Sequence, residues 1–174
     1  GYFKVWRTMS ALQKMARRDP NFDWQTLKSR FAGIFTAMHQ SFDHPGAFNI
    51  AHDATTSFRE EQRVLTQYRK SEGLLKKNSL GGITLIEPIL LRYSGEKGGE
   101  DSTIVIDFKA NVETYFTEAQ TGEIVQGTPG FREEETVWTF HLHKGSWLLH
   151  NIEPVELKPI YIGLTNDVPK GAIV

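Results

Sequence analysis

The sequence predicts an α+β domain in which N-terminal helices pack on one face of a curved antiparallel four-stranded sheet. Three observations predict it. Large apolar residues recur at three- and four-residue steps over residues 24–42, the period of a helix. From Gly81 onward the period falls to two, as in half-buried strands. Residues 131–153 then read as two strands about a tight turn, with Trp138 on one arm and Trp147 on the other. If such a sheet curls it forms a cone, whose mouth can hold a ligand.

In chain order, residues 2–18 fit a helix. At about 100° per residue, Tyr2, Val5, Trp6, Met9, Leu12 and Ala16 fall on one side and Lys4, Arg7, Lys14, Arg17 and Arg18 on the other, with Phe3 and Met15 as exceptions. A basic amphipathic helix with Trp and Tyr suits a membrane interface, where the five cations meet anionic lipid and Trp6, Met9 and Leu12 insert. A helix that packs its apolar side on the protein body has the same pattern. Asp19-Pro20-Asn21-Phe22-Asp23 then interrupts: Pro20 disfavours helix at Asp19, and Asp23 is a good N-cap. Trp24, Leu27, Phe31, Ile34, Phe35, Met38 and Phe42 follow in one narrow stripe, the natural cover for the hairpin tryptophans, and Asp43-His44-Pro45-Gly46 ends the helix. Residues 47–56 predict only a short helix or loop. Ser57 and Glu60 match a capping box; the helix they open runs to about Lys76, with Phe58, Val64, Leu65, Tyr68 and Leu75 inward and Asn78 as a left-handed stop.

Ile83, Leu85, Ile89, Leu91 and Tyr93 alternate through a strand that Pro88 interrupts, which argues for a sheet edge or a bulge. After a Gly-rich turn at 94–101, Ile104, Ile106, Phe108, Ala110, Val112 and Phe116 alternate over a long strand. Residues 118–130 read as a long loop or ribbon end. In the hairpin, Trp138, Phe140 and Leu142 share one face, and Lys144-Gly145-Ser146 makes the turn into Trp147-Leu148-Leu149. Beyond Pro154, Ile160-Tyr161-Ile162 predicts a further strand or a docked extension. The division expected is a basic helix over 1–18, a cone over 19–153 and an extension over 154–174, with Trp24, Phe31, Phe35, Trp138, Phe140 and Trp147 lining the cone.

Composition narrows the function. With 174 residues one domain is the default, and the absence of cysteine excludes disulfides and thiolate metal sites. No apolar run approaches the ~20 residues of a membrane-spanning helix. The chain begins at Gly1 instead of Met, as an excised segment does. The net charge of −1 hides an asymmetry: residues 1–18 carry five basic residues and no acid, leaving 15 basic against 21 acidic residues, a net −6, on the remainder. Only the N-terminal end is therefore suited to an anionic partner. A broad phosphate-tracking surface for nucleic acid is not expected.

Several stretches resemble one family. Val112-Glu113-Thr114-Tyr115, the run from Ala119 through Thr121-Gly122-Glu123 to Gly127, Glu135-Thr136-Val137-Trp138-Thr139-Phe140 and Gly145-Ser146-Trp147-Leu148-Leu149 are similar to the Tim-forty-four-like domain family, as is the Asp19-Pro20-Asn21-Phe22-Asp23 entry. The resemblance spans about residues 19–153. It implies the cone fold of the nuclear-transport-factor-two-like superfamily. It also implies a non-enzymatic role, with peripheral attachment to an anionic, cardiolipin-type inner membrane (mitochondrial matrix face or bacterial) and scaffolding of translocase or chaperone partners. The membrane contact it implies falls on the basic helix at 2–18.

Little in the chain points to chemistry. His141, His143 and His150 cluster about the hairpin, yet His150 has the opposite parity to Trp147 and Leu149, so exposed strand histidines are expected instead of a metal site. Glu133, Glu134 and Glu135 read as a solvated rim. Cone folds do include isomerases and dehydratases, for which Tyr68, Asp107, Tyr115 and His141 are the acid–base candidates. No spacing brings two of these together, and no nucleophile triad, phosphate loop or helical metal pair occurs. No catalytic residue, metal or cofactor is therefore expected.

Overall fold

A computed structural model of the protein describes residues 1–41, 50–95 and 99–169. Its helices are α1 (Tyr2–Ala16), α2 (Trp24–Ser41), α3 (Ile50–Asp53), α4 (Thr56–Ser71) and, after the sheet, α5 (Lys158–Gly163). The strands are β1 (Leu74–Arg92), β2 (Thr103–Glu118), β3 (Ile124–Gly127), β4 (Arg132–His143) and β5 (Ser146–Pro154). They form an open antiparallel sheet in the order β1-β2-β4-β5, with β3 paired to β2. The α+β class with helices on an antiparallel sheet is the one the sequence predicts.

The count of five strands instead of four has a local cause. Strand β3 pairs with β2 at Tyr115–Thr117, and β4 takes over at Val112, on the edge that β1 leaves open. One long strand is thus cut in two within the stretch expected to be loop, where Pro129 has no amide hydrogen to give a ladder. Strand β1 lies at the sheet edge as Pro88 suggests, and its register slips at Leu80/Gly82, Ile83/Leu85 and Pro88/Leu90. Such bulges bend a strand and blunt an edge.

The inner face of the sheet carries the main core. Phe31 of α2 stacks on Phe140 of β4 at 4.0 Å, and Phe35 stacks on Phe108 of β2 at 4.4 Å and lies 4.7 Å from Trp138. Trp147 meets Phe22 and Phe31 edge-on, and its indole N–H donates to the Asn21 carbonyl at 2.8 Å. Arg30 ties α2 to the same strand, donating to the Trp147 carbonyl and pairing with Asp53 at 2.8 Å. Phe31, Phe35, Trp138, Phe140 and Trp147 are buried and Trp24 is partly so. The ring-to-ring contacts mean that these residues fill the space between helix and sheet, so the lining expected of an open cone is packed core. Phe42 and the turn predicted at 43–46 lie outside the described residues.

The hairpin closes as its sequence suggests. Lys144 and Gly145 both have positive φ (49° and 78°), the geometry of a two-residue turn whose twist matches the strands. Glu100 secures it, accepting from the Lys144 amide and lying 2.8 Å from His143 Nδ1.

The α4–β1 junction differs from expectation. The N-cap is Thr55, which accepts from the Phe58 amide at 3.3 Å, not Ser57. The helix stops at Ser71 because Gly73, at φ 68°, turns the chain left-handed. Asn78 is instead buried in β1, donating to the His39 carbonyl and accepting from the Thr114 hydroxyl at 2.7 Å. Only Phe58 of the five residues expected inward is buried; Val64, Leu65, Tyr68 and Leu75 are exposed. The helical period ran on through Leu75 in the sequence and masked the strand that starts at Leu74.

The outer face carries a second, smaller cluster. Ile89, Leu90, Val105 and Val137 are covered there by Val5 of α1 and by Tyr161 and Ile162 of α5. The Ile160-Tyr161-Ile162 run is therefore a docked helix and not a strand. Its position determines the site described next.

Candidate functional site

The apolar side predicted for α1 divides in two. Leu12 and Met15 are buried in the core, with Thr8 beside them, whereas Tyr2, Phe3 and Trp6 are 82%, 75% and 64% exposed. Leu12 is thus withdrawn from the expected lipid-inserting set, because the helix turns that residue toward the sheet. Met9 is partly buried. Arg7, Arg17 and Arg18 are exposed, and Lys4 and Lys14 are half-buried.

Lys4, Arg7 and Lys14 are brought together on one wall of a groove of about 520 Å³, with Trp6, Ser10 and Ala11. The opposite wall is the C-terminal extension, Ile162 to Asn166 and Val168. Among the described residues no acid lines the groove, and no carboxylate forms an ion pair with any of its three cations. Lys4 has its pKa lowered by burial and by the neighbouring charges of Arg7 and Arg92, as expected where cations crowd without counter-charge. Its ammonium donates to the Leu164 carbonyl across the groove.

The second wall is held by specific bonds. Asn166 accepts from the Leu91 amide at 2.9 Å and donates to the Thr8 hydroxyl at 3.1 Å, joining α1, β1 and the extension. Asp167 pairs with β1 through Asp167 N to the Leu91 carbonyl, 2.9 Å, and Tyr93 N to the Asp167 carbonyl, 2.8 Å. Upstream, Lys158 of α5 reaches Asp107 at 2.8 Å and Glu135 at 3.1 Å. Asp107 is wholly buried. Burial, and then the neighbouring Glu135 carboxyl, push its pKa up to about 6, against the opposing pull of Lys158. Glu135, which burial alone would raise, is held below the usual carboxylate range by the neighbouring Asp107 and by its bond to Lys158.

Glu135 therefore departs from the sequence reading: it is not rim, and with Asp107, one of the acid–base candidates, it lies beneath α5, on a face that the extension closes. Arg92 and the residues of the extension were not anticipated either. The contacts run from Lys4 to Leu164 and from Asp107 to Lys158, too far apart in sequence for any spacing rule to join them. The charge run of α1 was the one signal available.

The remaining candidates lie apart. His141 and His150 stack at 3.8 Å on the outer face, and His150 bonds the Thr55 hydroxyl at 3.0 Å. Burial first, and then His150, lowers the His141 pKa to about 4. His143 pairs with Glu100. No cluster of His, Asp or Glu suited to a metal occurs among the described residues. Tyr68 is exposed on α4, far in sequence and element from Asp107, and Tyr115 lies on β2 opposite Lys77 and Gly127. The buried titrating group, Asp107, is on the opposite side of the sheet from the aromatic interior.

N-terminal helices laid on an open antiparallel sheet, with an aromatic interior, a basic first helix and a short helix docked on the outer face, define a helix-capped sheet domain. Its family follows from the sequence: the model of the Tim44-like domain matches residues 8–154, and the chain belongs to that family. The family is generally one of non-catalytic scaffold domains in the setting of protein translocation. No curated protein matches the chain by sequence. Among solved structures, the intermembrane space region of chloroplast protein ARC6 is similar, with a TM-score of 0.51 at 10% identity, covering 75% of this chain and 95% of that one. At that identity the likeness is one of fold. No helix among the described residues is long and apolar enough to cross a membrane.

Proposed function

We propose that this domain is a non-enzymatic scaffold that sits peripherally on an anionic inner membrane, mitochondrial or bacterial, and presents its body to a translocase or chaperone partner. The observation that carries the lipid contact is the first helix. It combines three exposed aromatic rings, Tyr2, Phe3 and Trp6, with the exposed cations Arg7, Arg17 and Arg18 and the half-buried Lys4 and Lys14. Aromatic rings at the headgroup level and cations against anionic lipid are the two ingredients of interfacial binding. Each cation near an anionic surface contributes about 1 kcal/mol, so five hold the domain reversibly. The working division is a membrane-facing helix at 1–18, a scaffold body at 19–153 and an extension at 154–174.

Co-sedimentation with vesicles tests this reading. The wild-type chain is expected to pellet with cardiolipin-containing vesicles and to stay in solution with phosphatidylcholine alone. Charge reversal at Arg7, Arg17 and Arg18, all exposed, leaves the core untouched and is expected to abolish pelleting. Equal pelleting of that variant would remove the helix as the anchor.

A further inference from the structure

We propose that the C-terminal extension is half of a binding site: residues 162–168 and the groove side of α1 together hold the phosphate group of a monoester or diester ligand. This deepens the lipid reading above and rests on it for the source of the phosphate, the headgroup of an anionic lipid.

The site lies at the ends of the family domain. The family match covers 8–154, so Lys4, Trp6 and Arg7 precede it and the whole second wall follows it. The first wall thus straddles the start of the matched region, with Ser10, Ala11 and Lys14 inside it, and the second wall lies beyond its end. Its volume of about 520 Å³ lies within the range of small-ligand sites, roughly 300–1,000 Å³. Three cations line it with no acid among the described residues, and Arg92 lies near enough to act on Lys4. That concentration of uncompensated positive charge in a concave site favours an anion over a neutral ligand. Hydroxyls of Ser10 and Thr165 add hydrogen-bonding groups, while Trp6, Ile162 and Leu164 give the groove an apolar side. A phosphodiester flanked by glycerol and acyl carbons presents the same mixture.

The extension does more than close a gap. The Leu164 carbonyl takes the Lys4 ammonium, and Asn166 fastens the buried Thr8 of the same helix. Lys158, bound to the buried Asp107, fixes the start of this wall on the sheet. The wall is therefore preorganised, so a ligand need not order it on binding.

Thr165 is exposed and lines the groove, which makes it the point of attack. In the full chain, Thr165→Glu puts a carboxylate beside the three cations without removing a core contact. Gln120→Glu, at the exposed tip between β2 and β3, is the charge-matched control. Thr165→Glu is expected to weaken binding to phosphatidylglycerol-containing vesicles about fivefold, with Gln120→Glu unchanged. Inorganic phosphate is expected to displace wild type more than sodium chloride of equal ionic strength does. If Thr165→Glu binds like Gln120→Glu while reversal of Arg7, Arg17 and Arg18 abolishes binding, the extension is not part of the site and the lipid reading stands. If all variants bind as wild type does, both readings fall. Equal displacement by the two salts reduces the groove to general electrostatics and overturns the site. Inorganic phosphate that binds wild type but not Thr165→Glu, with no vesicle binding by either, keeps the site and assigns it to a soluble phosphate.

Discussion

The two faces of the sheet are held by different physics. On the inner face, α2 lays Phe31 and Phe35 onto Phe140, Phe108 and Trp138, ring against ring, with a few hydrogen bonds such as Arg30 to the Trp147 carbonyl at its margin. On the outer face, α5, with Val5 of α1, covers a smaller aliphatic cluster and places Lys158 over Asp107 and Glu135. The first arrangement gains free energy in proportion to the area removed from water. The second pairs buried charges, whose mutual attraction roughly offsets their desolvation. An inner layer so built fixes the fold; an outer layer so built fixes where one short segment docks.

This contrast is open to direct attack. The largest effect is expected at Trp138→Ala, which should cost about 4 kcal/mol in urea unfolding, because the indole is fully buried among rings that cannot collapse around the void. A loss below about 1 kcal/mol would mean the inner face is not the main source of stability. Lys158→Ala should come next, at about 2 kcal/mol, since it leaves Asp107 buried without a cation. The paired change Asp107→Leu with Lys158→Met should restore most of that loss. If the pair is as damaging as Lys158→Ala alone, the ion cluster contributes net stability and the contrast is wrong.

Acidity sharpens the comparison, because the outer face carries two groups of opposite sign. His141 titrates near pH 4 in the folded chain against 6.5 ordinarily, so its contribution is present above pH 6.5 and is lost as pH falls toward 4. Asp107 titrates near 6 against 3.8, so its contribution is present below pH 3.8 and is lost as pH rises through 6. Between pH 4 and 6 the two therefore oppose each other. Relative to wild type, Asp107→Asn should make stability rise more steeply with pH in that window, and His141→Gln should make it rise less. Unfolding midpoints measured across the window read both slopes. The smallest effect is expected at Tyr68→Ser, within about 0.5 kcal/mol, because this ring on α4 is exposed and covers nothing.

The inner face was legible in the sequence for the same reason that it is stable. Its residues lie on two regular elements, so the three-to-four step of α2 and the alternation of Trp138, Phe140 and Leu142 state directly which sides meet. The N-terminal charge run was legible too, but not the division of α1. Val5, Leu12, Thr8 and Met15 share its inward side, and a polar Thr8 bonded to Lys4 and Asn166 does not register as core in an apolar pattern. The α4–β1 junction was misread because Leu75 continues the helical spacing, and Gly73, the residue that ends the helix, was passed over. The outer face was illegible on principle: Asp107 on a strand looks solvated until Lys158 arrives from the far end of the chain.

The clasp between Lys4 and Leu164 and between Thr8 and Asn166 brings the beginning and the end of the domain to one corner. Neighbouring ends are the condition under which a chain can be circularised and reopened elsewhere. Joined there by a short flexible linker and cut at the exposed Gln120–Thr121 tip, the polypeptide would keep every strand partner in the sheet. Tension applied between those two ends, by contrast, would load the clasp together with the bonds of Asn166 and Asp167 to the edge of β1.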